Sequence, residues 1–368
     1  MEKLTTRERQ VYQQIVKNPY ISQQTLSEAL QLSRSTVANL ISGLVQKNVL
    51  LGRAYVLNKS RQVLCIGGAN VDRKLHTYEP LQMYTSNPVY SRSSAGGVAR
   101  NIAENLGRLG FHPSLITASG MDADWDMIEK ASRPFMNLEG TLHLPHATTG
   151  TYTALMNPQG ELLTALADME VFEAILPPLV MKSEIKMRQS ECMVADLNCP
   201  KETLELLLRM SRSFSVPLAF VTVSAPKMKR LPENLHGLTW LMTNIEETEA
   251  QFDMSIDSKE KWYLAAGLWL EMGIEKVTIT SGKDGVVVGE KEGDIHHFPS
   301  FSTGDVNDVT GAGDAFCAGV LYGWMEGMEL QEIIKTGMMN AVKCIQSPYT
   351  VRQDLTPSLL TQDVEEFV

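Results

Sequence analysis

Apolar residues in the first fifty positions recur at the spacing of short α-helices. Residues 5–8 (Thr-Thr-Arg-Glu) have the spacing of a capping box and predict the start of a first helix. A second helix is predicted over residues 21–30, and a third over residues 35–45, whose apolar positions share one face. Residues 50–57 follow as a short hairpin with a basic tip. This order predicts a small helical domain at the N-terminus.

From residue 63 the pattern changes to continuous apolar runs that alternate with helical stretches. Residues 63–66 are all apolar and run into Gly67 and Gly68, as expected for a strand buried on both faces of an α/β sheet. Two segments, 83–93 and 141–166, interrupt this rhythm with alternating apolar and polar residues. The pattern therefore predicts a large α/β domain with an additional small β-structure.

The charge distribution also favours two domains. The net charge of the 368 residues is -10, but residues 1–61 contain nine Lys or Arg against three Asp or Glu, and the remainder contains 24 against 40. A basic N-terminal segment followed by an acidic remainder indicates two different partners. We predict a helical domain at residues 1–58, a linker at 59–62 and an α/β domain at 63–368.

The composition disfavours membrane and secreted proteins. No apolar run approaches the ~18 residues of a membrane span, and the polar N-terminus lacks the apolar core of a signal peptide. The five cysteines are scattered, without a CxxC pair, which disfavours zinc and disulfide frameworks. We expect reduced thiols and a cytoplasmic location.

The stretch Asp308-Val309-Thr310-Gly311-Ala312-Gly313-Asp314 combines a phosphate cradle with a candidate base. An apolar helix follows it, so Gly311, Ala312 and Gly313 lie at a first helical turn. Backbone N–H groups there lack internal partners and the helix dipole is positive, which favours phosphate oxygens. A carboxylate at Asp314 would serve as the base for an attacking hydroxyl. The alternative is a glycine turn whose acid stabilises the helix dipole.

Polar and glycine-rich segments elsewhere supply candidate substrate contacts. Asn70 and Asp72 follow the strand at 63–66, at the strand end where α/β sheets bind ligands, and an amide and a carboxylate two residues apart suit sugar hydroxyls. A glycine-rich entry into a helix and a second strand end supply the remaining candidates, although the first could be a simple loop-to-helix junction. These candidates are Gly96, Gly97, Val98 and Asn101 at the helix, and Asp196 and Asn198 at the strand end.

Residues 67–72, 96–101 and 308–314 together resemble the ribokinase-type (PfkB) carbohydrate and nucleoside kinase family. The similarity covers about residues 62–350, and the absence of a GxxxxGK[ST] string disfavours a P-loop kinase. It implies a ribokinase-like three-layer α/β/α domain with a small β-lid, roughly at residues 83–93 and 141–166. It also implies phosphoryl transfer from ATP with Mg²⁺, with Asp314 as the base and the N–H groups of Gly311, Ala312 and Gly313 at the phosphoryl oxygens.

The same resemblance assigns nucleotide and metal positions. An Asn-x-x-Glu segment places Asn244 and Glu247 at Mg²⁺ through water, although the residues alone fit a helix start equally well. Asp308 and Thr310 match positions that shape a monovalent-cation site in many relatives, so K⁺ is a further expected cofactor. The remaining nucleotide contacts that the resemblance implies are Thr280, Gly282, Gly285 and, near the adenine, Asn340.

The strings around Asp196 and at residues 220–229 are most similar to the pseudouridine kinase branch of the family. This resemblance implies phosphorylation of the 5′-hydroxyl of pseudouridine, and the lid that it implies favours a homodimer. The residues alone support only a polyhydroxylated substrate. A kinase for ribose, another furanose or an ordinary nucleoside is an alternative.

Residues 1–58 resemble a winged helix-turn-helix domain and predict DNA as a partner. Short polar side chains at the start of the third helix suit phosphate and base-edge contacts. One alternative is a helical packing module that binds no nucleic acid. Another is a nucleoside-responsive transcription regulator in which the kinase-like body is a sensor. The candidate DNA contacts are Arg34, Ser35, Thr36 and Asn39 on the helix and Arg53 on the wing.

Overall fold

The structure of the chain is a computed structural model that describes residues 4–47, 49–50, 61–301 and 308–366. The chain divides into two compact units, residues 1–60 and 61–368. The division falls inside the linker that the sequence predicts at residues 59–62.

The first unit contains three helices: α1 (Thr6–Lys17), α2 (Gln23–Leu30) and α3 (Arg34–Gln46). The predicted capping box is confirmed, because Thr5 Oγ1 accepts a hydrogen bond from the Glu8 N–H and the Glu8 carboxylate accepts one from the Thr5 N–H. Residues from all three helices meet in one small core, among them Ile15, Leu26 and Leu44. The predicted hairpin at residues 50–57, with Arg53, lies outside the described residues apart from Leu50.

The second unit is built on parallel strands connected by helices. Within the described residues its strands are β1 (Gln62–Ile66), β2 (Asn70–Thr77), β3 (Val89–Gly96), β4 (His112–Ile116), β5 (Ala118–Ser119), β6 (Leu142–His143), β7 (Thr151–Met156), β8 (Leu162–Asp168), β9 (Cys192–Asp196), β10 (Leu218–Val221), β11 (Trp240–Asn244), β12 (Lys276–Thr280), β13 (Val286–Glu290) and β14 (Ile295–Phe298). Its helices there are α4 (Val98–Arg108), α5 (Ala123–Ser132), α6 (Pro177–Met181), α7 (Glu184–Gln189), α8 (Lys201–Phe214), α9 (Ile245–Phe252), α10 (Lys259–Glu271), α11 (Ala312–Glu326), α12 (Leu330–Ile345) and α13 (Pro357–Glu365).

Eight strands form the main sheet in the order β14-β13-β12-β11-β10-β9-β1-β4. The strands from β4 to β12 pair in parallel, whereas β13 and β14 are antiparallel. Side chains on β1 alternate between the two faces: Val63 and Cys65 pack in the core that contains α4 and α11, and Leu64 and Ile66 pack in the core that contains α8 and α10. The predicted three-layer α/β/α arrangement is therefore confirmed.

A separate four-stranded sheet, in the order β3-β2-β7-β8, forms the small β-structure, which we call the lid sheet. Its limits differ from the predicted segments 83–93 and 141–166. The chain enters β2 directly after the turn that follows β1, so the lid sheet begins at Asn70. Within 141–150, residues 142–143 instead pair with β5 outside the lid sheet. Local alternation could not reveal β2, because it contains the polar run Asp72-Arg73-Lys74.

Candidate active site

The carboxyl ends of β1 and β9 position the first wall of the site. The Asp196 carboxylate, at the end of β9, accepts hydrogen bonds from the Gly68 N–H and the Ala99 N–H, each over 2.9 Å, and from the Asn198 N–H over 2.8 Å. Asp196 is 1% exposed, and burial raises the pKa of its carboxyl despite these bonds. Asp196 is therefore not placed as the predicted sugar contact. Its carboxylate instead holds the turn after β1 and the start of α4 in position.

Asn198, the other predicted contact on this strand end, lies beside the β1 turn. A Cβ atom at Gly68 would approach Asn198 Nδ2 to 2.5 Å, and Lys227 Nζ donates a hydrogen bond to Asn198 Oδ1 over 2.9 Å. The sequence prediction missed Lys227. It is half-buried, and burial lowers its pKa because the charged ammonium is less well solvated there than in water.

Asn70 and Asp72 are joined within the lid sheet, as neighbours on one face of β2. Asn70 Nδ2 donates to Asp72 Oδ1 over 2.7 Å. The opposite strand must carry glycine here, because a Cβ atom at Gly96 would lie 2.2 Å from the Asp72 carboxylate. Burial raises the pKa of Asp72 to about 6, and the hydrogen bond from Asn70 opposes that rise. Two of the predicted substrate residues therefore form one polar pair.

Helix α4 brings the glycine-rich entry to the same cleft. Gly97 precedes its first residue, Val98, with φ 100°, and a Cβ atom there would lie 2.5 Å from the Gly68 carbonyl oxygen. The close approach places Asn101, one turn into α4, where its Nδ2 donates to Asp314 Oδ2 over 2.8 Å. The motif residues, separated by more than 200 positions, are thus in direct contact.

Asp314 lies in the first turn of α11, after Gly311 with φ 84°. A Cβ atom at Gly311 would lie 2.2 Å from the Thr350 carbonyl oxygen, whereas one at Gly313 would meet no protein atom within 4 Å. Residue 314 keeps some surface accessible to solvent, but protein atoms crowd its carboxyl group. This burial raises the pKa of Asp314 to about 7, against the hydrogen bond from Asn101. The negative charges of Asp196 and Asp72 raise it further.

Asn244 and Glu247 begin helix α9. Asn244 Oδ1 accepts from the Glu247 N–H over 2.8 Å and Glu247 Oε2 accepts from the Asn244 N–H over 3.1 Å, which forms a capping box. Glu247 Oε2 also contacts the Thr222 hydroxyl, and burial raises the pKa of Glu247. The described residues contain no cluster of three or more His, Cys, Asp or Glu side chains able to hold a metal ion. The pair has the oxygen chemistry that Mg²⁺ takes through water.

A cavity of about 420 Å³ lies between β12, α11 and α12. Its walls are mainly apolar, and one end meets the start of α11 at Ala312 and Gly313. Val309, 70% exposed, forms part of the wall. An apolar chamber that opens onto the N-terminus of a helix fits a purine base with a phosphate chain, although the Ala312 N–H donates to the Val309 carbonyl over 3.2 Å. The predicted nucleotide residues on this cavity are Thr280, Gly282 and Gly285.

Asn340 does not reach this cavity, contrary to the prediction. It is fully buried, and its Nδ2 donates to Asn105 Oδ1 over 3.0 Å and to the Ala315 carbonyl over 2.8 Å. Its helix neighbour Ala341 lines the cavity instead. The helix turns by 100° per residue, so an error of one position turns the side chain from the ligand to the core.

The partner of Asp308 and Thr310 also differs from the prediction, because a lysine ammonium lies where a monovalent cation was expected. Lys74 Nζ contacts Asp308 Oδ2 and donates to Thr310 Oγ1 over 2.8 Å. The two oxygen groups therefore do not fit K⁺ while Lys74 lies there. The sequence prediction missed Lys74, although it follows Asp72 by two positions and so faces the same way on a strand.

In the first unit, the predicted DNA contacts Arg34, Ser35, Thr36 and Asn39 are exposed on α3, while Val37 and Leu44 on its other face are buried. Ser33 caps the helix through a 3.1 Å hydrogen bond from the Thr36 N–H. The exposed row of short polar side chains is thus available to a partner.

Comparison with known proteins identifies the family. The pfkB family carbohydrate kinase description matches residues 60–356. The chain belongs to this family. A second description, winged helix-turn-helix DNA-binding, matches residues 4–50. The glycine motifs, the Asn101–Asp314 contact and the cavity at α11 all lie within the part of the chain that matches the carbohydrate kinase family.

Individual relatives cover most of the chain. It is 28% identical to the uncharacterized sugar kinase YeiI of Escherichia coli over 89% of this chain and 90% of that protein. It is also 28% identical to the pseudouridine kinase of Escherichia coli over 80% of this chain and 93% of that protein. The structure of Arabidopsis thaliana ribokinase complexed with ribose and ATP superposes with a TM-score of 0.74 at 16% identity, over 83% of this chain and 98% of that one. This last likeness shows the ribokinase-like fold.

Two further features concern the cysteines and the helices. All five cysteines are free and buried. Among the described residues, no helix is both long enough and apolar enough to span a membrane.

Proposed function

We propose that the chain transfers the terminal phosphoryl group of ATP to the 5′-hydroxyl of pseudouridine. The observation that carries the kinase chemistry is the 2.8 Å contact between Asn101 and Asp314, beside the start of α11. The choice of acceptor rests on the Escherichia coli pseudouridine kinase, to which the chain is 28% identical.

Asp314 acts as the base in this proposal. A carboxyl group with a pKa of about 7 is partly ionised at neutral pH and is a stronger base than an ordinary aspartate. Asn101 donates to one carboxylate oxygen, which fixes the orientation of the side chain toward the acceptor. The proton of the primary alcohol moves to Asp314 as the alcohol oxygen bonds to the terminal phosphorus, and the bond from that phosphorus to ADP, the leaving group, breaks.

The start of α11 holds the transferring group. The N–H groups around Gly311, Ala312 and Gly313 lie at a helix N-terminus, where the positive end of the helix dipole favours negative oxygens; the Ala312 N–H would exchange its 3.2 Å bond to the Val309 carbonyl for a phosphoryl oxygen. When bound, ATP supplies the phosphoryl group and Mg²⁺ neutralises its charge. Asn244 and Glu247 would hold Mg²⁺ through water, and the cavity of about 420 Å³ would hold the base and ribose of ATP.

The acceptor is held by the polar pair Asn70 and Asp72, with Gly97 and Asn101 on the opposite wall. A sugar hydroxyl both donates and accepts, so an amide beside a carboxylate suits it. Lys227, half-buried and bonded to the buried Asn198, is the side chain at this strand end that would meet a polar group of the acceptor.

A panel of acceptors tests the proposal: pseudouridine, uridine, inosine and ribose, each with Mg²⁺ and ATP, with phosphorylated product detected by mass spectrometry. We expect the highest kcat/KM with pseudouridine. A clear preference for ribose or for an ordinary nucleoside would replace the proposed acceptor and leave the kinase assignment intact. Asp314→Asn is the matched control for contaminating kinases, because it keeps the size and polarity of the side chain.

The exposed face of α3 supports a second function, DNA binding. Arg34, Ser35, Thr36 and Asn39 lie together there, and the segment matches the winged helix-turn-helix description. We propose that these residues contact a DNA duplex.

The lid sheet supports a homodimer. Strand β8 is exposed along its whole length and presents Leu162, Leu163 and Leu166. Exposed leucines on an edge strand favour burial against a second copy. Light scattering on the full chain, compared with Leu166→Lys, tests this proposal.

A further inference from the structure

Lys74 lies where the lid sheet meets the phosphate-binding turn. It occupies β2, two residues after Asp72 and on the same face. Its ammonium group contacts Asp308 Oδ2 and donates to Thr310 Oγ1 over 2.8 Å. Both side chains of the Lys74–Asp308 pair are 24% exposed, so the pair is largely shielded from water.

The turn that Lys74 contacts is the one that positions Gly311 at the start of α11. Asp308 Oδ1 accepts from the Thr310 N–H over 2.9 Å, and the Asp308 N–H donates to the Ile345 carbonyl over 3.2 Å. Burial acts to raise the pKa of Asp308, but the hydrogen bonds from Lys74 and Thr310 outweigh it and lower that pKa. Asp308 is therefore a carboxylate at neutral pH, and the turn carries a fixed negative charge.

We propose that the Lys74 ammonium is a built-in cation that replaces a monovalent metal ion at Asp308 and Thr310. A lysine ammonium and K⁺ carry the same charge and take the same oxygen partners. Because Lys74 Nζ is within hydrogen-bond distance of both oxygens, an ion cannot occupy the same position. Lys74 is thus a positioning residue: it neutralises Asp308 and holds the turn that precedes the phosphate-binding N–H groups.

The position of Lys74 on the lid sheet gives this cation a property that a metal ion lacks. Asp72, which would hold the acceptor, lies two residues away on the same strand, and the positive charge of Lys74 acts to lower its pKa. Movement of β2 would therefore shift the acceptor-binding pair and the cation together. The alternative is an ordinary surface ion pair, which contributes little and responds to no particular salt.

The experiment compares the full chain with Lys74→Met and Lys74→Arg in KCl and in choline chloride at equal ionic strength. The first readout is kcat/KM for ATP. The second is the shift in melting temperature on adding KCl, with Mg²⁺ and a non-hydrolysable ATP analogue present; it requires no acceptor and no turnover.

We expect the unmodified chain to show equal kcat/KM in both salts and no K⁺-specific thermal shift. Lys74→Met should lose about tenfold or more in kcat/KM without K⁺, because it leaves a shielded carboxylate unpaired. In this variant K⁺ should restore part of the loss and raise the melting temperature. Lys74→Arg should retain most activity without K⁺.

Arg73→Met is the matched control. Arg73 is the neighbouring cation on β2 but faces the other way, where it pairs with Asp124. It should gain no K⁺ response. K⁺-dependent turnover or a K⁺-specific thermal shift in the unmodified chain overturns the proposal, and so does a Lys74→Met variant that K⁺ does not affect. The inference rests on the kinase activity and not on the acceptor. Failure of pseudouridine as acceptor appears only in the acceptor panel and leaves the thermal readout interpretable.

Discussion

Asn101 Nδ2 and Asp314 Oδ2 lie 2.8 Å apart and join the first turns of α4 and α11. The two residues are 213 positions apart in the chain, and each lies about one helical turn after a glycine with positive φ, Gly97 or Gly311. The contact combines two effects on one carboxyl group. Burial favours the protonated form of Asp314, and the Asn101 amide favours the ionised form. The balance sets the pH at which the base becomes available.

This balance predicts the pH dependence of the reaction. Asp314 must be ionised to accept a proton, so kcat/KM for the acceptor should rise with pH through about 7 and level off above it. Asn101→Ala removes the bond that favours the ionised form. Its pH profile should therefore shift to higher pH by about one unit. Steady-state kinetics from pH 5 to 9, values chosen to span that pKa by roughly two units on each side, would measure the shift.

Asn157→Ala, on the exposed turn between β7 and β8, is the control for that profile and should leave the midpoint unchanged. An Asn101→Ala profile with an unchanged or lower midpoint would show that Asp314 is not the group that titrates.

Asp314→Asn should separate activity from stability. Turnover should fall by about 10²–10⁴-fold, as for a lost general base. Between the unfolded pKa of about 4 and the folded pKa of about 7, the folded protein holds a proton that the unfolded chain has lost. The free energy of unfolding of the native chain therefore falls as pH rises through this window.

Asp314→Asn has no carboxyl group at this position, so its free energy of unfolding does not fall in this way as pH rises. At pH 8 the variant should therefore be more stable than the native chain by roughly 2 kcal/mol. This is about half of what the full pKa difference allows, because residue 314 retains some solvent contact. Near pH 4 the two proteins should have equal stability. Urea unfolding at both pH values measures the difference. Near-native turnover, or a stability gain at pH 4 equal to that at pH 8, contradicts the assignment.

Alanine at two glycines two residues apart should affect different properties: stability at Gly311 and ATP binding at Gly313. Gly311→Ala places a methyl group 2.2 Å from the Thr350 carbonyl at φ 84°, so the turn must distort. We expect the free energy of unfolding to fall by about 1–3 kcal/mol and the activity to fall with it. Gly313→Ala meets no protein atom within 4 Å and should change stability by less than about 1 kcal/mol. Its methyl group enters the space for phosphate, so KM for ATP should rise by about tenfold or more.

Thermal unfolding and ATP kinetics of the two variants provide the comparison. Normal ATP kinetics in Gly313→Ala would exclude the start of α11 as the phosphate site, whatever the result for Gly311→Ala.

The sequence predicted this site best where local geometry demands one residue type. Gly97 and Gly311 have positive φ and lie against a backbone oxygen, where a side chain would collide. The local sequence alone therefore reveals both motifs. The apolar run of β1 is similarly visible, because both faces of the strand are buried.

Contacts between distant segments were not predictable in the same way. Lys74 and Asp308 are 234 positions apart, and nothing near either residue indicates the other. Asn340 lies on α12, which lines the nucleotide cavity, but faces away from that cavity, and the sequence alone does not show which neighbour each face of a helix meets. The limits of the lid sheet were wrong because β2 contains the polar residues of the site.

The exposed face of α3 predicts how the chain binds DNA. Arg34 stands at the first residue of the helix and is exposed, so it is suited to a phosphate contact. Arg34→Ala should weaken binding to a random-sequence duplex and reduce the slope of log K against log salt by about 1. Fluorescence anisotropy of the full chain between about 50 and 200 mM salt measures this slope. Arg7→Ala removes an equally exposed charge from α1 and should leave the slope nearly unchanged. Equal losses in the two variants would indicate attraction by net charge alone, and the absence of binding by the native chain would leave α3 a packing helix.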